Sequence, residues 1–593
     1  MQYARQLPIL AIVGVVLATL LGSSPPAVAA SAAPFGHSCS GELGIRFCPT
    51  DTPSQRVRSF DGVPLDVDVT LPASGNGPYP TIVMLHGWGQ NKGAFETSEG
   101  PAAEGNENYA YNNIYYAQHG FAVVTYTARG WGNSCGSLGS RSEGDCGEGF
   151  MRYADQRYEA RDTQFLLGEL VDEGIAKAGA LGVTGESYGA AQSIELAYLR
   201  NRIRLPNGHF APWRSPKGTP LSIDAVWARW PWSDLMSALW PNGRFLDSQV
   251  APLAQSTQPV GVEHGLWISS FVGFAEEAEG FMGPPAIDTQ DDLSVWDGII
   301  GGQPGSPQAT HLAEQLTAYH QAYGLPGRPA PMLLESGWTD GIFPPEQSLL
   351  IYNAVRAKHG QVALQVGDLG HSPADNKTNT DRYFNMEGAR FFAAHLRHVG
   401  RAPSNYGVNA YTLTCPTSTP GGGPYYARNW RSLHPQHISF GSSAAQSFTS
   451  AGANPKIAAA FDPGFSDEAC RTVSAEVEPN TATYTTTSSG VTLLGMSTVT
   501  ATVHTTGALG QIDSRLWDVL PDGQQRLVDR GVYRLTTNQQ GRILFQLHGN
   551  GYHFAQGDQI KLELLGRDAP YYTPSPGAFS VQVSNLEVSL PIS

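Results

Sequence analysis

One five-residue stretch near residue 187 restricts the possible folds more than any other feature of the sequence. Gly185-Glu186-Ser187-Tyr188-Gly189 has the pattern G-x-S-x-G, and a small, β-branched run precedes it while an Ala-rich helical pattern follows it. In such a strand-to-helix turn, Gly185 and Gly189 let strand and helix approach, and the serine hydroxyl is exposed above the sheet. We predict that Ser187 is a nucleophile; the alternative is a tight corner without chemistry.

The sequence around this stretch alternates between strand-like and helix-like segments. Between about 56 and 401, short apolar runs are separated by stretches such as "DQRYEARDTQFLLGELVDEGI" and "DRYFNMEGARFFAAHLRHV". This alternation is typical of a mainly parallel sheet with helices on both faces, an α/β fold. We assign the strands to "TIVMLHG", "FAVVTYTA", "GALGVTG", "SIDAVWARW", "APMLLESGW" and "VALQVGDLG", after an antiparallel pair, "RVRSF" and "PLDVDVTLP".

The alternation is interrupted between about 231 and 329, where the sequence is aromatic and helix-like. We predict a helical cap inserted over the C-terminal ends of the strands, where open α/β sheets bind ligands. The tryptophans in or just before this insertion form either its own core or an aromatic wall for a substrate. They are Trp213, Trp227, Trp230, Trp232, Trp240, Trp267 and Trp296.

A nucleophilic serine needs a base within hydrogen-bond reach. On a sheet of this kind an acid and then a histidine follow the serine in chain order. His371 follows the strand-like "QVALQVGDLG" and begins a loop before the last long helix. His311, His320 and His359 lie on or beside helical patterns, as surface or core histidines do. We therefore predict that His371 is the base.

The acid that orients the histidine should follow the preceding strand. Asp340 does so, in "MLLESGWTDGIFPPEQ", although capping of the next helix is its structural alternative and Asp368 and Glu335 compete for the role. For an oxyanion hole we predict the backbone N–H groups of Tyr188 and of Trp88 in "HGWGQNK". The alternative for that loop is a turn without function.

The composition excludes several classes of function. The net charge of −15 argues against nucleic acid or an anionic membrane as partner. The sequence has no H-E-x-x-H, no P-loop and no dinucleotide-binding glycine pattern, so we predict neither metal nor cofactor. The acidic run "AEEAEG" is read as a solvated helix face, with binding of a substrate ammonium as the alternative. The oligomeric state is left open.

Two features point to export from the cell. Arg5, the apolar run "LPILAIVGVVLATLLG" and the small residues "SSPPAVAASAA" predict a signal peptide over 1–30, cleaved after Ala29, Ala30 or Ala32. A retained membrane anchor is the alternative. The six cysteines fall into three neighbourhoods, which favours disulfides over free thiols in an extracellular protein. The predicted pairs are Cys39–Cys48, Cys135–Cys146 and Cys415–Cys470.

The periodicity and composition of the sequence change after about residue 402. Helical periodicity disappears, and runs such as "TATYTTTSSGVTLLGMSTVTATVHTT" and "GRILFQLHG" alternate around Gly and Pro-Asp-Gly turns. Short strands with such turns predict an antiparallel β-sandwich or jelly roll. We place the domains at 31–401, with the cap at about 231–329, and at 402–593.

Several of these segments resemble the X-prolyl dipeptidyl-peptidase and cocaine esterase family of α/β-hydrolases. The resemblance rests on "SFDGVPLDVDVTLP", "YTARGWGNSCG", "YEARDTQFLLGEL" leading into "GVTGESYG", "GDLGHS" and "LWDVLPDGQQRLVDRGVYRL". It implies an α/β-hydrolase domain with a cap, a C-terminal jelly roll of the galactose-binding type, and acyl-serine chemistry on esters, amides or peptide bonds.

The sequence departs from the family pattern at two places. Family members often place a tyrosine hydroxyl in the oxyanion loop. In this sequence the nearest match to that tyrosine is Trp88, so the backbone N–H of Trp88 is the donor that the loop offers. The stretch after the serine reads Ser-Tyr-Gly-Ala, where much of the family has Ser-Tyr-x-Gly. We expect a secreted, acyl esterase-like serine hydrolase acting on a small ester, amide or short peptide. A dipeptidyl-peptidase with the same residues, or a non-catalytic carbohydrate-binding protein, are the alternatives.

Overall fold

A computed structural model describes residues 33–97, 108–248, 260–283, 293–401, 407–462 and 468–593. The predicted signal peptide over 1–30 and its cleavage sites lie outside these ranges. Within them, no helix has both the length and the apolar character needed to cross a membrane.

The N-terminal two thirds of the described chain form one large mixed sheet and two small ones. The strands are β1 (Ser40–Glu42), β2 (Ile45–Cys48), β3 (Val57–Arg58), β4 (Pro64–Leu65), β5 (Val67–Pro72), β6 (Tyr79–Leu85), β7 (Ala122–Tyr126), β8 (Ala176–Glu186), β9 (Arg202–Arg204), β10 (Phe210–Pro212), β11 (Ala225–Arg229), β12 (Met332–Gly337), β13 (Val362–Gly367), β14 (Val408–Thr412) and β15 (Gly422–Ala427). The large sheet has the order β1-β2-β5-β7-β6-β8-β11-β12-β13-β14-β15. Its pairings from β7 through β14 are parallel, and those at both edges are antiparallel.

Helices cover both faces of this sheet. They are α1 (Asn113–Gln118), α2 (Leu138–Ser142), α3 (Glu159–Asp172), α4 (Tyr188–Leu199), α5 (Leu235–Leu239), α6 (Gly265–Glu277), α7 (Leu293–Ile300), α8 (Pro307–Tyr319), α9 (Pro345–Ala357) and α10 (Thr378–Leu396). Because successive side chains of a strand point to opposite faces, Val83 and Leu85 pack with α3, α4 and α9, while Ile82 and Met84 pack with α1 and α10. This double burial explains why the strands read as continuous apolar runs.

The predicted insertion lies between β11 and β12. Its described residues contain helices α5 to α8 and no strand of the large sheet. The carboxyl ends of β8, β11, β12 and β13 are therefore neighbours in space, with the inserted helices following directly from one of them.

The C-terminal part is built from antiparallel strands. They are β16 (Gln436–Ser442), β17 (Gln446–Thr449), β18 (Thr472–Ser474), β19 (Ala482–Gly495), β20 (Thr498–Thr506), β21 (Gln511–Val519), β22 (Gln524–Arg534), β23 (Gln540–Gln546), β24 (Asn550–Leu565) and β25 (Ser580–Ile592), with short helices α11 (Trp430–Leu433) and α12 (Pro455–Phe461). This part is therefore mainly antiparallel β-structure, which fits the expectation of a β-domain. The boundary near residue 401 stays a prediction; β14 and β15, which follow it, still pair with the first sheet.

All three predicted disulfides are present: Cys39–Cys48, Cys135–Cys146 and Cys415–Cys470. The C-terminal part also touches the loops at the carboxyl ends of the central strands. The Tyr571 hydroxyl donates to the carbonyl of Gly341 at 2.6 Å. The β-domain therefore packs directly beside Asp340.

Candidate active site

Ser187 lies in a strained turn between β8 and α4. Its backbone has φ 54° and ψ −114°, a conformation that residues other than glycine rarely adopt. The two flanking glycines explain how the turn is possible. A Cβ atom on Gly189 would lie 2.1 Å from the carbonyl oxygen of Leu85, and one on Gly185 would lie 2.6 Å from the backbone of Gly189. Only glycine therefore lets β6, β8 and α4 approach this closely.

The structure brings Ser187, His371 and Asp340 into one chain of hydrogen bonds. His371 Nε2 is 2.8 Å from Ser187 Oγ, and His371 Nδ1 is 2.8 Å from Asp340 Oδ2. Since a carboxylate only accepts, Nδ1 carries the proton and Nε2 is left to accept from the serine hydroxyl. Asp340 is fixed in turn, because its Oδ1 accepts the backbone N–H groups of Ile342 and Phe343 at 3.0 and 2.8 Å.

The competing acids make other contacts. Asp368 accepts hydrogen bonds from the Thr339 hydroxyl and from the backbone N–H of Asp375, and burial raises the pKa of its carboxyl to about 6. Glu335 pairs with the guanidinium of Arg229 at 3.3 Å. Of the three candidates, Asp340 is the one whose carboxylate the structure places against the imidazole of His371.

The two predicted oxyanion donors lie on segments that flank the serine. Tyr188 is the first residue of α4, where backbone N–H groups have no partner inside the helix, and Trp88 lies in the loop after β6. Among the described residues, neither backbone N–H makes a hydrogen bond. The Trp88 indole, by contrast, is engaged: its Nε1 donates to the carbonyl of Phe271 at 2.9 Å. The assignment of the two N–H groups stays a prediction.

Trp88 is held by other aromatic rings. It stacks on Tyr153 with ring centroids 4.9 Å apart, and it meets Trp131, Tyr188 and Phe271 edge-on at 4.8 to 5.6 Å. Offset and edge-on geometries of this kind are the favoured ones for aromatic pairs. The loop that carries the proposed donor is thus fixed by its side chain.

His86, two residues earlier, fixes the same loop from inside the protein. Its Nδ1 lies 2.8 Å from the carbonyl of Gly87, and its Nε2 accepts the backbone N–H of Ala128 at 2.9 Å. Burial lowers the pKa of His86 to about 4, so the ring is neutral at physiological pH. His86 is the first residue of the predicted oxyanion loop "HGWGQNK", but the sequence alone assigned it no role.

Arg229, at the end of β11, braces the turn and was missed by sequence reasoning. Its carbonyl accepts the Ser187 N–H at 3.0 Å. Its buried guanidinium contacts the carboxylates of Glu186, Glu335 and Asp381 at 2.5, 3.3 and 2.6 Å. Burial works against the charge, but these carboxylates outweigh it and raise the pKa of Arg229 above its ordinary value. The only sequence signal is a charged residue at the end of an apolar strand.

Glu159, at the start of α3, anchors the side chain of Tyr188 and was also missed. The Tyr188 hydroxyl donates to Glu159 Oε1 at 2.7 Å. The same carboxylate accepts the backbone N–H groups of Arg152 and Asp155 at 2.8 and 2.6 Å. Burial raises the pKa of Glu159 to about 7 despite these hydrogen bonds.

The inserted helices supply an aromatic wall beside His371. The Trp267 ring on α6 meets the imidazole edge-on at 6.2 Å, and Phe343 does so at 5.2 Å. Trp296, in contrast, is fully buried and packs on His320 of the insertion and on Tyr153, which precedes α3. Trp296 is thus part of the buried core, while a role of Trp267 as a wall for the substrate stays a prediction. The exposed Glu276, Glu277 and Glu279 lie at or just beyond the C-terminal end of α6.

Comparison with known proteins supports the family seen in the sequence. Residues 61–202 match the model of the X-Pro dipeptidyl-peptidase (S15) family. No curated protein sequence matches the chain.

Solved structures of similar fold cover nearly the whole chain. An aminopeptidase from a marine sediment archaeon, Thaumarchaeota archaeon, is 12% identical with a TM-score of 0.57, covering 93% of this chain and 98% of its own. An alpha-amino acid ester hydrolase is 14% identical with a TM-score of 0.57, covering 96% and 100%. A CocE/NonD family hydrolase from Staphylococcus aureus is 13% identical with a TM-score of 0.54, covering 95% and 100%.

At these identities the solved structures establish the fold alone. Together with the family match they confirm the resemblance drawn from the sequence, and the protein is a serine hydrolase with an α/β-hydrolase-like domain.

Proposed function

We propose that the protein is a secreted, acyl esterase-like hydrolase that cleaves ester or amide bonds through an acyl-serine intermediate. The observation that carries this proposal is the chain of two 2.8 Å hydrogen bonds that links Asp340, His371 and Ser187. The strained backbone of Ser187 supports it, because strain of this kind clusters at functional sites.

In the proposed mechanism, Ser187 Oγ attacks the carbonyl carbon of the substrate while His371 Nε2 accepts its proton. The negative charge that develops on the carbonyl oxygen is stabilised by the backbone N–H groups of Trp88 and Tyr188. His371 then gives the proton to the leaving alcohol or amine, and the acyl group stays on Ser187. A water molecule, deprotonated by His371, then attacks the acyl carbon. The bond between this carbon and Ser187 Oγ breaks, His371 returns the proton to Oγ, and the acid leaves; Asp340 holds the imidazole throughout.

The surroundings of His371 favour a small substrate with an apolar group. Trp267 and Phe343 present their rings beside the imidazole, and apolar walls with few polar groups are typical of small-molecule sites. A dipeptidyl-peptidase would need a carboxylate held close to the serine for the substrate's free amino end. Glu276, Glu277 and Glu279, the acidic run considered for such an ammonium, are exposed, which leaves the esterase as the better-supported candidate.

The remaining parts of the proposal concern export and domain organisation. Three disulfides support a location outside the cytoplasm, with a signal peptide over 1–30 removed. We place a hydrolase domain at 31–401, with its cap at about 231–329, and a jelly-roll domain of the galactose-binding type at 402–593. The antiparallel pairing of β16 to β25 supports the last assignment.

Labelling with a fluorophosphonate tests the nucleophile. We expect the purified protein to be labelled on Ser187 and the Ser187→Ala variant to remain unlabelled. Ser222→Ala removes a hydroxyl that bonds only to Asp224, and this control should label like the wild type. Labelling that persists in Ser187→Ala would refute the assignment.

Comparison of a p-nitrophenyl ester with a Gly-Pro-anilide tests the type of bond that is cleaved. We expect hydrolysis of the ester by the wild type and loss of hydrolysis in Ser187→Ala. Rapid cleavage of the anilide with no cleavage of the ester would instead assign the protein as a dipeptidyl-peptidase.

A further inference from the structure

The C-terminal part of the protein contributes one side chain to the loop that carries Asp340. Tyr571 lies in the segment between β24 and β25, and its hydroxyl donates to the carbonyl of Gly341 at 2.6 Å. Tyr571 is 4% exposed, so this hydrogen bond is shielded from water. The two residues are 230 positions apart in sequence. The contact therefore exists only because the C-terminal part packs on the edge of the large sheet.

The carbonyl that Tyr571 contacts belongs to the same peptide group that contacts Asp340. A trans peptide group is planar, and its C=O and N–H point in opposite directions. The C=O of the group between Gly341 and Ile342 accepts from Tyr571, and its N–H donates to Asp340 Oδ1 at 3.0 Å. Hydrogen bonds in such a chain polarise one another, so each strengthens the next. A single peptide group therefore links the hydroxyl of Tyr571 to the carboxylate of Asp340.

The same segment is packed tightly against the loop of His371. The N–H of Gly341 donates to the carbonyl of Ser372, the residue after His371, at 3.2 Å. A Cβ atom on Gly341 would lie 2.6 Å from that carbonyl oxygen and 3.4 Å from the ring of Trp267. Gly341 thus lies between the histidine loop and the inserted helix α6. A change in the orientation of its peptide group would be transmitted to both Asp340 and His371.

Tyr571 is itself held in place. The guanidinium carbon of Arg530 lies 3.8 Å from the centroid of its ring, and the ring of His264 meets it edge-on at 4.3 Å. Arg530 is fixed in turn, since it donates to the carboxylate of Asp462 at 3.1 to 3.2 Å. Burial raises the pKa of Tyr571, so its hydroxyl keeps its proton at neutral pH. The loop of Asp340 is therefore met by a fixed hydrogen-bond donor.

We propose that Tyr571 is a positioning residue for the acyl-transfer reaction. Its hydroxyl fixes the peptide group between Gly341 and Ile342. This group fixes the carboxylate of Asp340, which in turn orients His371. The proposal rests on the function proposed above, since it concerns the same catalytic residues. Asp340 matters most when the imidazole becomes positively charged in the transition state, so the effect of Tyr571 appears in kcat rather than in KM.

Removal of one hydroxyl tests the proposal. Tyr571→Phe should lower kcat for p-nitrophenyl butyrate about tenfold, the size expected when one buried hydrogen bond is lost. The value of KM should stay within about twofold of the wild type. Tyr572→Phe is the matched control, because Tyr572 is the next residue, is also buried, and its hydroxyl lies 2.8 Å from His548 Nε2. This control should keep both kcat and KM within about twofold of the wild type.

Titration of Ser187 with a fluorophosphonate to its end point counts the folded sites in each preparation. The value of kcat then refers to folded enzyme only, even where a variant is less stable. Tyr571→Met is a second variant without the hydroxyl, for use if Tyr571→Phe does not fold, and the same loss of kcat is expected.

The same substitution in an Asp340→Ala background separates positioning from a general effect on the fold. The measurement is the second-order rate constant for labelling of Ser187 by the fluorophosphonate, followed over hours where labelling is slow. Tyr571→Phe should lower this constant about tenfold when Asp340 is present and change it by less than about twofold when Asp340 is absent. A merely structural role would lower the constant by the same factor in both backgrounds.

Two outcomes would overturn the role of Tyr571 while hydrolysis still depends on Ser187. The first is a kcat of Tyr571→Phe within about twofold of the wild type, and the second is an equal loss of labelling rate with and without Asp340. Hydrolysis or labelling that persists in Ser187→Ala would instead refute the proposed function itself.

Discussion

The carboxyl group of Glu159 should make the stability of the protein fall as the pH rises from 4.5 to 7. In the unfolded chain this group ionises near its ordinary value of 4.5, whereas burial raises its pKa to about 7 in the folded protein. Between these values the folded state holds a proton that the unfolded state has lost, so stability falls with pH. Each unit of pH in this window is worth about 1.4 kcal/mol, and the total loss is about 3 kcal/mol.

Replacement of Glu159 by glutamine removes this dependence. The glutamine oxygen can still accept from the Tyr188 hydroxyl and the Arg152 N–H. Its NH₂ group replaces the oxygen that accepts from the Asp155 N–H, so this hydrogen bond is lost. That loss is a constant offset, because no titrating group is involved. The free energy of unfolding of Glu159→Gln minus that of the wild type should therefore rise by about 3 kcal/mol between pH 4.5 and pH 8.

Urea unfolding followed by tryptophan fluorescence at pH 4.5, 5.5, 6.5 and 7.5 measures this difference. Glu42→Gln is the control for the substitution itself, since Glu42 is exposed on β1, and it should change the free energy of unfolding by less than about 0.5 kcal/mol. A difference for Glu159→Gln that stays flat within about 0.5 kcal/mol, or that falls as the pH rises, would refute the reasoning.

Three further variants test the site and its supports. Asp340→Asn should lower kcat for a p-nitrophenyl ester by about 10⁴-fold, because the imidazole loses the acceptor that fixes its tautomer; a loss below tenfold would contradict this role. Gly189→Ala should destabilise the protein by about 3 kcal/mol or more, since the added Cβ would lie 2.1 Å from the Leu85 carbonyl oxygen. The control Gly179→Ala should be tolerated, because its added Cβ meets nothing within 4 Å. Arg229→Met should lower the free energy of unfolding in urea by about 3–5 kcal/mol, because three buried carboxylates lose their cation. Arg390→Met, at an exposed ion pair, should change it by less than about 1 kcal/mol. Equal effects of the two variants would contradict the argument.

Much of the fold could be read from local pattern. The strands predicted from "TIVMLHG" to "VALQVGDLG" all occur, because each is buried on both faces and therefore keeps a continuous apolar run. The hairpin of β1 and β2 was not assigned, since its strands are only three and four residues long and β1 is exposed throughout. The strands β14 and β15 were assigned to the C-terminal part, because nothing local in them distinguishes the edge of one sheet from the start of the next.

The candidate site divides in the same way. Ser187 and His371 could be named in advance, and Asp340 as the first of three candidate acids, since each follows a recognisable strand and parallel strands bring their carboxyl ends to one edge of a sheet. Arg229, Glu159 and His86 could not be assigned roles, because their partners are distant in sequence. Arg229 contacts Asp381 and Glu335, and His86 contacts Ala128, all of them 42 or more residues away. Glu159 meets Tyr188 only where α3 packs against α4.

The sequence by itself determined the strands β6, β7, β8, β11, β12 and β13, the turn at Ser187 and the two cysteine pairs that are separated by 9 and 11 residues. These features depend on neighbours along the chain. Only the tertiary structure decided which carboxylate meets His371 and which rings surround Trp88. It also decided which side chain of the C-terminal part, Tyr571, reaches the loop of Asp340. These features depend on side chains far apart in sequence, and their energies come from burial, which no local pattern of residues encodes.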